Sequence, residues 1–289
     1  MKKYIAIAFV SVILLFGIFI FQNLKFNDNR LHIIFCDVGQ GDAILIRTPS
    51  NQDVLVDSGP NNLVVDCLSK HLPFWDKTIE LAILTHPHAD HMNGFLDVLK
   101  NYKVLSFATE NLKNNSLGFK VLMESLKAQN IKIRYVYLGD RFRFSDGVTI
   151  NIVGPSKEFL ANTSPDGVIG ERNEFANVES LIKYGKFSVL LTGDSQSSEL
   201  DEILKQVQND KQVSVLQVPH HGSKTGLTDQ ILNVLNPNLA VISVGKNNKY
   251  GHPNPFTLDL LKNKNIKTLR TDENGDIEII SDGKSWKVN

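Results

Sequence analysis

Two patterns of hydrophobic and polar residues divide the chain. Tyr4 to Phe21 is a stretch without charge, preceded by Lys2 and Lys3. At about 1.5 Å of rise per residue, such a helix just crosses a hydrocarbon core of roughly 30 Å. Beyond residue 30, short apolar runs alternate with amphipathic segments. Leu31–Val38, Ala43–Thr48 and Val54–Val56 read as strands separated by Gly-Asp and Asn-Gln turns. A helical pattern at Asn62–Leu72, a strand at Ile79–Leu84, and helices at Met92–Leu99 and Phe119–Ala128 follow. Strands near 131–137, 141–144 and 148–153 come next. Residues 154–177 are polar and punctuated by Gly and Pro, which predicts a long loop that covers or shapes a site. Strands return at Ser180–Tyr184, Lys186–Leu191, Ser214–Val218, Ala240–Val244 and Asp276–Ile280, with helices near 197–207, 227–235 and 256–263. No short repeat and no linker interrupts this order. The pattern predicts a membrane segment over 1–27 and one α/β domain over 28–289.

Composition changes this picture little. The 31 basic and 31 acidic residues balance, and without Lys2, Lys3 and Lys25 the domain keeps 28 basic against 31 acidic, so nothing demands a nucleic-acid groove. Two cysteines argue against a disulfide scaffold, and Cys36, inside an apolar strand, reads as a small core residue. Their number leaves the redox compartment open. No A-x-A site follows the apolar stretch, and the basic pair precedes it, so it reads as an uncleaved signal anchor with the domain outside the cytoplasm. A cleaved signal, giving a secreted protein, and a buried N-terminal helix are the alternatives.

The chemistry concentrates where apolar strands end. Thr85-His86-Pro87-His88-Ala89-Asp90-His91 places three imidazoles and a carboxylate in six residues, directly after Leu81-Ala82-Ile83-Leu84. Buried polar groups at this density are costly unless paired or bound to metal. Pro87 disfavours helix at His86, so His86 and His88 lie on one side of an extended segment while Asp90 and His91 reach a second point. The spacing therefore points to two metal ions. Three further strands end in Thr192-Gly193-Asp194, in Pro219-His220-His221-Gly222-Ser223-Lys224 and in Gly245 to His252. Sites in sheet-based folds assemble at such carboxyl ends. Only His32 and His71 lie elsewhere, and both read as surface or partly buried side chains.

The sequence His86-x-His88-x-Asp90-His91, with a later Gly193-Asp194 and a later histidine, resembles the metallo-β-lactamase fold superfamily. Asp37-Val38-Gly39-Gln40-Gly41-Asp42-Ala43, Val56-Asp57-Ser58-Gly59, His220-His221-Gly222-Ser223-Lys224-Thr225 and Ser243 to Pro253 resemble the hydrolase domain at the C-terminal end of ComEC-type DNA-uptake proteins. The likeness covers residues 31–280, and five motifs in the same order make it specific. It implies an αββα sandwich, two mixed sheets flanked by helices, carried on one N-terminal transmembrane helix. The multi-span channel of such transporters has no counterpart in this chain.

The resemblance also implies a ligand set. His86 and His88 hold the first ion, Asp90, His91 and His221 the second, and Asp194 bridges them. Related enzymes complete the first ion with a further histidine, but none occurs between His91 and His220. Asn177 and Ser180 fit the asparagine-rich stretch of ComEC-type domains at that place. Glu179 departs from it, and either supplies a ligand or faces solvent. Nitrogen and carboxylate donors favour Zn²⁺, with Mn²⁺ second. An open binuclear site of this kind lowers the pKa of a shared water from about 16 toward about 7, which suits hydrolysis.

On the substrate side, His220 sits beside a ligand but is expected to point elsewhere, as a proton donor or oxyanion clamp, and Asp90 joins it as a catalytic group. Ser223 and Lys224 suit a phosphoryl oxygen; the alternative is a turn with an exposed lysine. His252 and Asn177 are expected to line the cleft. Asp37 and Asp57 are expected to orient ligand histidines or loop backbone, and Gln40 and Asp42 only to shape a turn. The expected function is a membrane-anchored, extracytoplasmic phosphodiesterase acting on DNA, with single-stranded DNA the candidate form. A small-substrate phosphoester or wall-polymer esterase, and a non-catalytic metal-binding module of a membrane assembly, are the alternatives.

Overall fold

The computed structural model describes residues 2–169, 176–207 and 213–289. Helix Lys2–Phe26 is followed by two large sheets and a two-stranded ribbon of Thr78–Ile79 and Lys103–Val104. The eight-stranded sheet runs Trp286–Val288, Ile277–Ser281, Leu31–Phe35, Ile44–Arg47, Asp53–Val56, Leu81–Ile83, Ser106–Thr109, Lys132–Tyr135. The seven-stranded sheet runs Lys267–Arg270, Leu239–Ile242, Val215–Gln217, Phe187–Leu191, Glu179–Tyr184, Thr149–Gly154, Arg141–Arg143.

Continuous apolar strands create the layering. Ile33 and Phe35 project into one buried cluster, while Ile34 and Cys36, one residue out of phase, project into another. The first cluster joins both sheets face to face, with Val189, Leu191 and Val241 meeting Ile33, Ile46 and Val56. The second lies under helices Leu63–His71, Phe95–Asn101 and Leu117–Ala128, through Leu68, Val98 and Leu122. A third packs Leu200, Ile231 and Leu261 from three helices onto the outer face of the other sheet. Strands buried on both faces need no alternation, because each side chain finds an apolar layer. Each fully buried Leu, Ile or Phe contributes about 1.5–3 kcal/mol. The arrangement is the expected αββα sandwich.

Several local expectations are corrected. Strands Ser106–Thr109, Lys267–Arg270 and Trp286–Val288 were not anticipated; the last two lie at sheet edges, where partial exposure removes the apolar signal. The expected loop 154–177 contains the helix Lys157–Thr163, capped by the Ser156 hydroxyl accepting from the Phe159 amide; residues 170–175 lie outside the described residues. The helix expected at Met92–Leu99 is two pieces, Ala89–Met92 and Phe95–Asn101. The break falls at Asn93-Gly94, where a Cβ on Gly94 would stand 2.0 Å from the Ser58 carbonyl oxygen. Cys36 and Cys67, both buried, form a disulfide tying the first strand to the first helix of the domain. The reading of Cys36 as a simple core residue is thereby corrected: the strand-to-helix packing brings the two sulfurs together, which spacing alone does not reveal.

Candidate metal centre

Strands Leu81–Ile83, Phe187–Leu191, Val215–Gln217 and Leu239–Ile242 each pair with a parallel neighbour in their own sheet, and the loops after all four line one cavity, of about 500 Å³. His88, Asp90, Asp194, His220, His221 and His252 are among its lining residues.

Hydrogen bonds fix which nitrogen of each buried histidine faces inward. Asp57, fully buried, accepts from the Thr85 amide at 2.8 Å, the Thr85 hydroxyl at 2.7 Å and His91 Nδ1 at 2.8 Å. The Thr85 hydroxyl proton is committed to Asp57, so its oxygen accepts from His86 Nδ1 at 3.0 Å. His221 Nδ1 donates to the Ser243 carbonyl at 2.9 Å. In all three rings the bonded nitrogen holds a proton, and Nε2 keeps its lone pair for the centre of the site.

Those lone pairs converge on Asp194. His91 Nε2 lies 3.3 Å and His221 Nε2 3.5 Å from Asp194 Oδ1. His86 Nε2 lies 3.9 Å from Oδ2, and 3.0 Å from His88 Nδ1. Asp90 Oδ2 is 3.5 Å from His221 Nε2. His91 Nε2, His221 Nε2 and Asp194 Oδ1 are buried without a hydrogen-bond partner, although they face one another. Lone pairs opposing a carboxylate at these distances are unfavourable unless a proton or a metal cation lies between them. Asp90, His91, Asp194 and His221 form one compact donor group, and His86, His88 and Asp194 a second. The donors fit a divalent metal. Cys67, His71 and Asp276 also cluster, but the Cys67 sulfur is bonded to Cys36.

The electrostatics agree. Burial by itself lowers His91, yet Asp194 and Asp57 raise it well above the ordinary imidazole range. Burial likewise opposes a proton on His221, and Asp194, Asp90 and Asp42 bring it up to about 9. His86 is pushed well below its usual value by burial and by His91. Burial raises Asp194 and Asp90, but the surrounding histidines outweigh it and hold both well below the usual carboxylate range. Without an ion, the excess of carboxylate draws protons onto the imidazoles; a cation would take their place.

The Pro219–Gly222 turn positions two histidines at once. His220 and His221 have φ of 50° and 54°, the left-handed region, which costs a non-glycine residue about 1–2 kcal/mol. Gly193 also has a positive φ, and a Cβ there would press on Thr85 and on Asn177 Oδ1.

The other expected site residues divide. His252 lines the cavity, and its pKa is lowered by burial and by His220 and His221. Asn177 is fully buried and accepts from the Asp194 amide at 3.0 Å, so it holds the Asp194 loop and does not line the cleft. Ser223 is drawn into its own turn by Thr225 at 3.0 Å, and Lys224 is exposed; neither lines the cavity. Asp37 is exposed and accepts from the Gly39 amide, so of its two expected roles it holds loop backbone and not a ligand histidine. Asp42 does more than shape its turn: it is buried, accepts from Gln217 at 2.7 Å, adds negative charge 3.8 Å from His91 Nδ1, and is raised to about 6 by burial. The Gly41-Asp42 turn signal concealed this role. Glu179 does not face solvent; it is buried and accepts from the Ser195 hydroxyl at 2.6 Å. His220 does not point away: its Nε2 is 3.8 Å from Asp194 Oδ2.

Comparison with known proteins places this geometry. ComE operon protein 3 of Bacillus subtilis is 28% identical over 262 residues, covering 84% of this chain and 32% of the relative. Recombination protein 2 of Haemophilus influenzae is 25% identical over 276 residues, covering 94% of this chain and 31% of the relative. The chain thus spans about a third of these relatives, which are ComEC-type competence proteins. The metallo-beta-lactamase fold protein YhfI from Bacillus subtilis superposes with a TM-score of 0.52 at 12% identity, covering 83% of this chain and 96% of YhfI, a likeness of fold. The family model of the metallo-beta-lactamase superfamily matches residues 36–246, and the chain belongs to that superfamily.

Proposed function

We propose that the protein is a membrane-anchored, extracytoplasmic metallohydrolase that cleaves phosphodiesters, with DNA as its substrate. The observation that carries this reading is Asp194, whose two oxygens each face imidazole nitrogens presenting lone pairs. His86 and His88 would hold one ion, Asp90, His91 and His221 the other, with Zn²⁺ the first choice and Mn²⁺ the second. Bound there, such ions supply Lewis-acid polarisation and a water of lowered pKa. Asp57, Thr85 and Ser243 keep the rings in register. Asp90, held so far below neutral, is a poor proton acceptor and suits a ligand role over the catalytic one. His252, a neutral imidazole on the cavity wall, can take up and return a proton.

DNA fits the rim. Tyr250 is 60% exposed, stacks on His252 with planes 15° apart, and carries Lys249 Nζ 5.6 Å from its ring. An open aromatic face beside a cation suits a nucleobase and its phosphate. A second reading, a small phosphoester or wall-polymer ester, is favoured by the absence of Lys and Arg from the cavity lining among the described residues.

Placement outside the cytoplasm is supported by the Cys36–Cys67 disulfide, since such bonds persist in oxidising compartments. Helix Lys3–Phe26 is long and apolar enough to cross a membrane. Trp75 packs on Phe19 of that helix with centroids 4.9 Å apart, and Phe74 beside it is 60% exposed. An exposed aromatic pair against the anchor suits the lipid interface.

The test is hydrolysis of bis(p-nitrophenyl) phosphate and labelled single-stranded DNA by the detergent-solubilised chain, metal-free and with Zn²⁺ or Mn²⁺. Metal-dependent cleavage lost in Asp194→Ala is the expected result. Cleavage of the small ester with none of DNA would favour the second reading. No cleavage of either, with ions bound, would overturn the phosphodiesterase reading.

A further inference from the structure

The group formed by His86, His88 and Asp194 has two imidazole nitrogens, and the histidine that related enzymes add between His91 and Asp194 is absent from this sequence. Two residues near that place are turned to other tasks. Asn177 Oδ1 accepts from the Asp194 amide. The Glu179 carboxylate accepts from Ser195 and lines a different cavity, with Pro155 and Ile203.

His220 comes from the turn after the neighbouring strand Val215–Gln217. Its Nε2 lies 3.8 Å from Asp194 Oδ2, the same oxygen that His86 Nε2 approaches at 3.9 Å. His221 and His91 meet Oδ1, at 3.5 and 3.3 Å. Each oxygen of Asp194 therefore faces two imidazoles, and consecutive histidines of one turn serve opposite oxygens. The left-handed backbone at both positions makes this division possible. The His220 amide donates to the Gly193 carbonyl at 3.0 Å, which ties the turn to the Asp194 loop. On the outer side of the ring, Gln196 Nε2 lies 3.0 Å from Nδ1 and 3.5 Å from the Asp194 carbonyl oxygen. An ion at His220 Nε2 requires this amide to turn over, so that its oxygen accepts from an Nδ1 proton and His220 Nε2 has its lone pair for the ion.

We propose that His220 is the third nitrogen ligand of the ion held by His86 and His88, supplied from the His220-His221 turn in place of the missing histidine. His220 stands outside the compact cluster of three, so the position closes when an ion draws the ring in. Gln196 is the positioning residue that sets its tautomer. This inference rests on the metal reading above.

The experiment is metal binding by the full chain in detergent, with ions removed by chelation and Zn²⁺ returned by titration. Bound ions per chain are counted by mass spectrometry, and Co²⁺ absorption reports the donor set. The expected result is two ions in the unaltered protein. In His220→Ala one ion keeps its affinity, while the other weakens at least about 100-fold and its Co²⁺ bands shift; Gln196→Ala weakens the same ion by about 10-fold. Near-ultraviolet circular dichroism checks that each variant is folded, and Gln196→Ala keeps the test open should His220→Ala not fold. Two ions at unchanged affinity in both variants would overturn the proposal alone and return His220 to contact with substrate, as would loss of both ions together from a folded His220→Ala. One ion or none in the unaltered protein would overturn the two-ion reading and the proposal with it.

Discussion

Cys36→Ala/Cys67→Ala isolates the cross-link between the first strand and the first helix of the domain. The cysteines are 31 residues apart, and both are buried in the cluster beneath the helices. In the chain-entropy description, closing a loop of that length stabilises the folded state by about 3.7 kcal/mol at 25 °C. For a domain of this size each kcal/mol moves the melting midpoint by about 2–4 °C, so the double variant is expected to melt roughly 7–15 °C lower. The same loss should follow reduction of the unaltered protein, and the variant should be indifferent to reductant. Alanine in place of half-cystine removes little core volume, so cavity formation adds only modestly. The assay is thermal unfolding followed by circular dichroism, with and without dithiothreitol, beside a count of thiols in protein prepared from membranes under alkylating conditions. Two free thiols in that preparation would refute both the cross-link and the placement outside the cytoplasm. An oxidised protein whose midpoint is unmoved by reduction would refute the energetic argument alone.

Three further outcomes follow from other parts of the structure. Asp57→Asn keeps the volume but removes the charge and one of the two oxygens that serve Thr85 and His91 Nδ1, so metal affinity should fall about 10–100-fold while the fold persists; titration calorimetry against the unaltered chain checks it. Gly94→Ala puts a methyl 2.0 Å from the Ser58 carbonyl and should destabilise by about 1–3 kcal/mol in denaturant unfolding, since backbone must move to admit it. His32 is bracketed by Glu278 and Asp28 at 2.8 and 2.9 Å; burial lowers its pKa, but the two carboxylates raise it above the ordinary value overall. A raised pKa contributes stability that is complete below the unfolded value of about 6.5 and lost as pH rises through the folded value. His32→Gln should therefore cost most near pH 6 and little near pH 9, and a cost independent of pH would contradict the charge-based account.

Much of this molecule is legible in the chain. The density of His86, His88, Asp90 and His91 after an apolar strand admits few readings besides metal binding, because a strand end supplies burial and the loop supplies donors. Most apolar runs that become central strands are bounded by turn residues and follow from hydrophobicity, whereas the interior strand Ser106–Thr109 does not. Edge strands such as Lys267–Arg270 escape because exposure leaves them no apolar signature. What tertiary structure alone decided is which side chains meet. Asp42 and Asp57 have the same sequence appearance as Asp37, yet two are buried against imidazoles and one is exposed. Cys36 meets Cys67, and His220 turns toward Asp194, because separate strands and helices carry them to one place. Local sequence sets hydrophobic period and turn chemistry over a few residues. Contacts across tens or hundreds of residues depend on how the layers pack, and packing is a property of the whole chain.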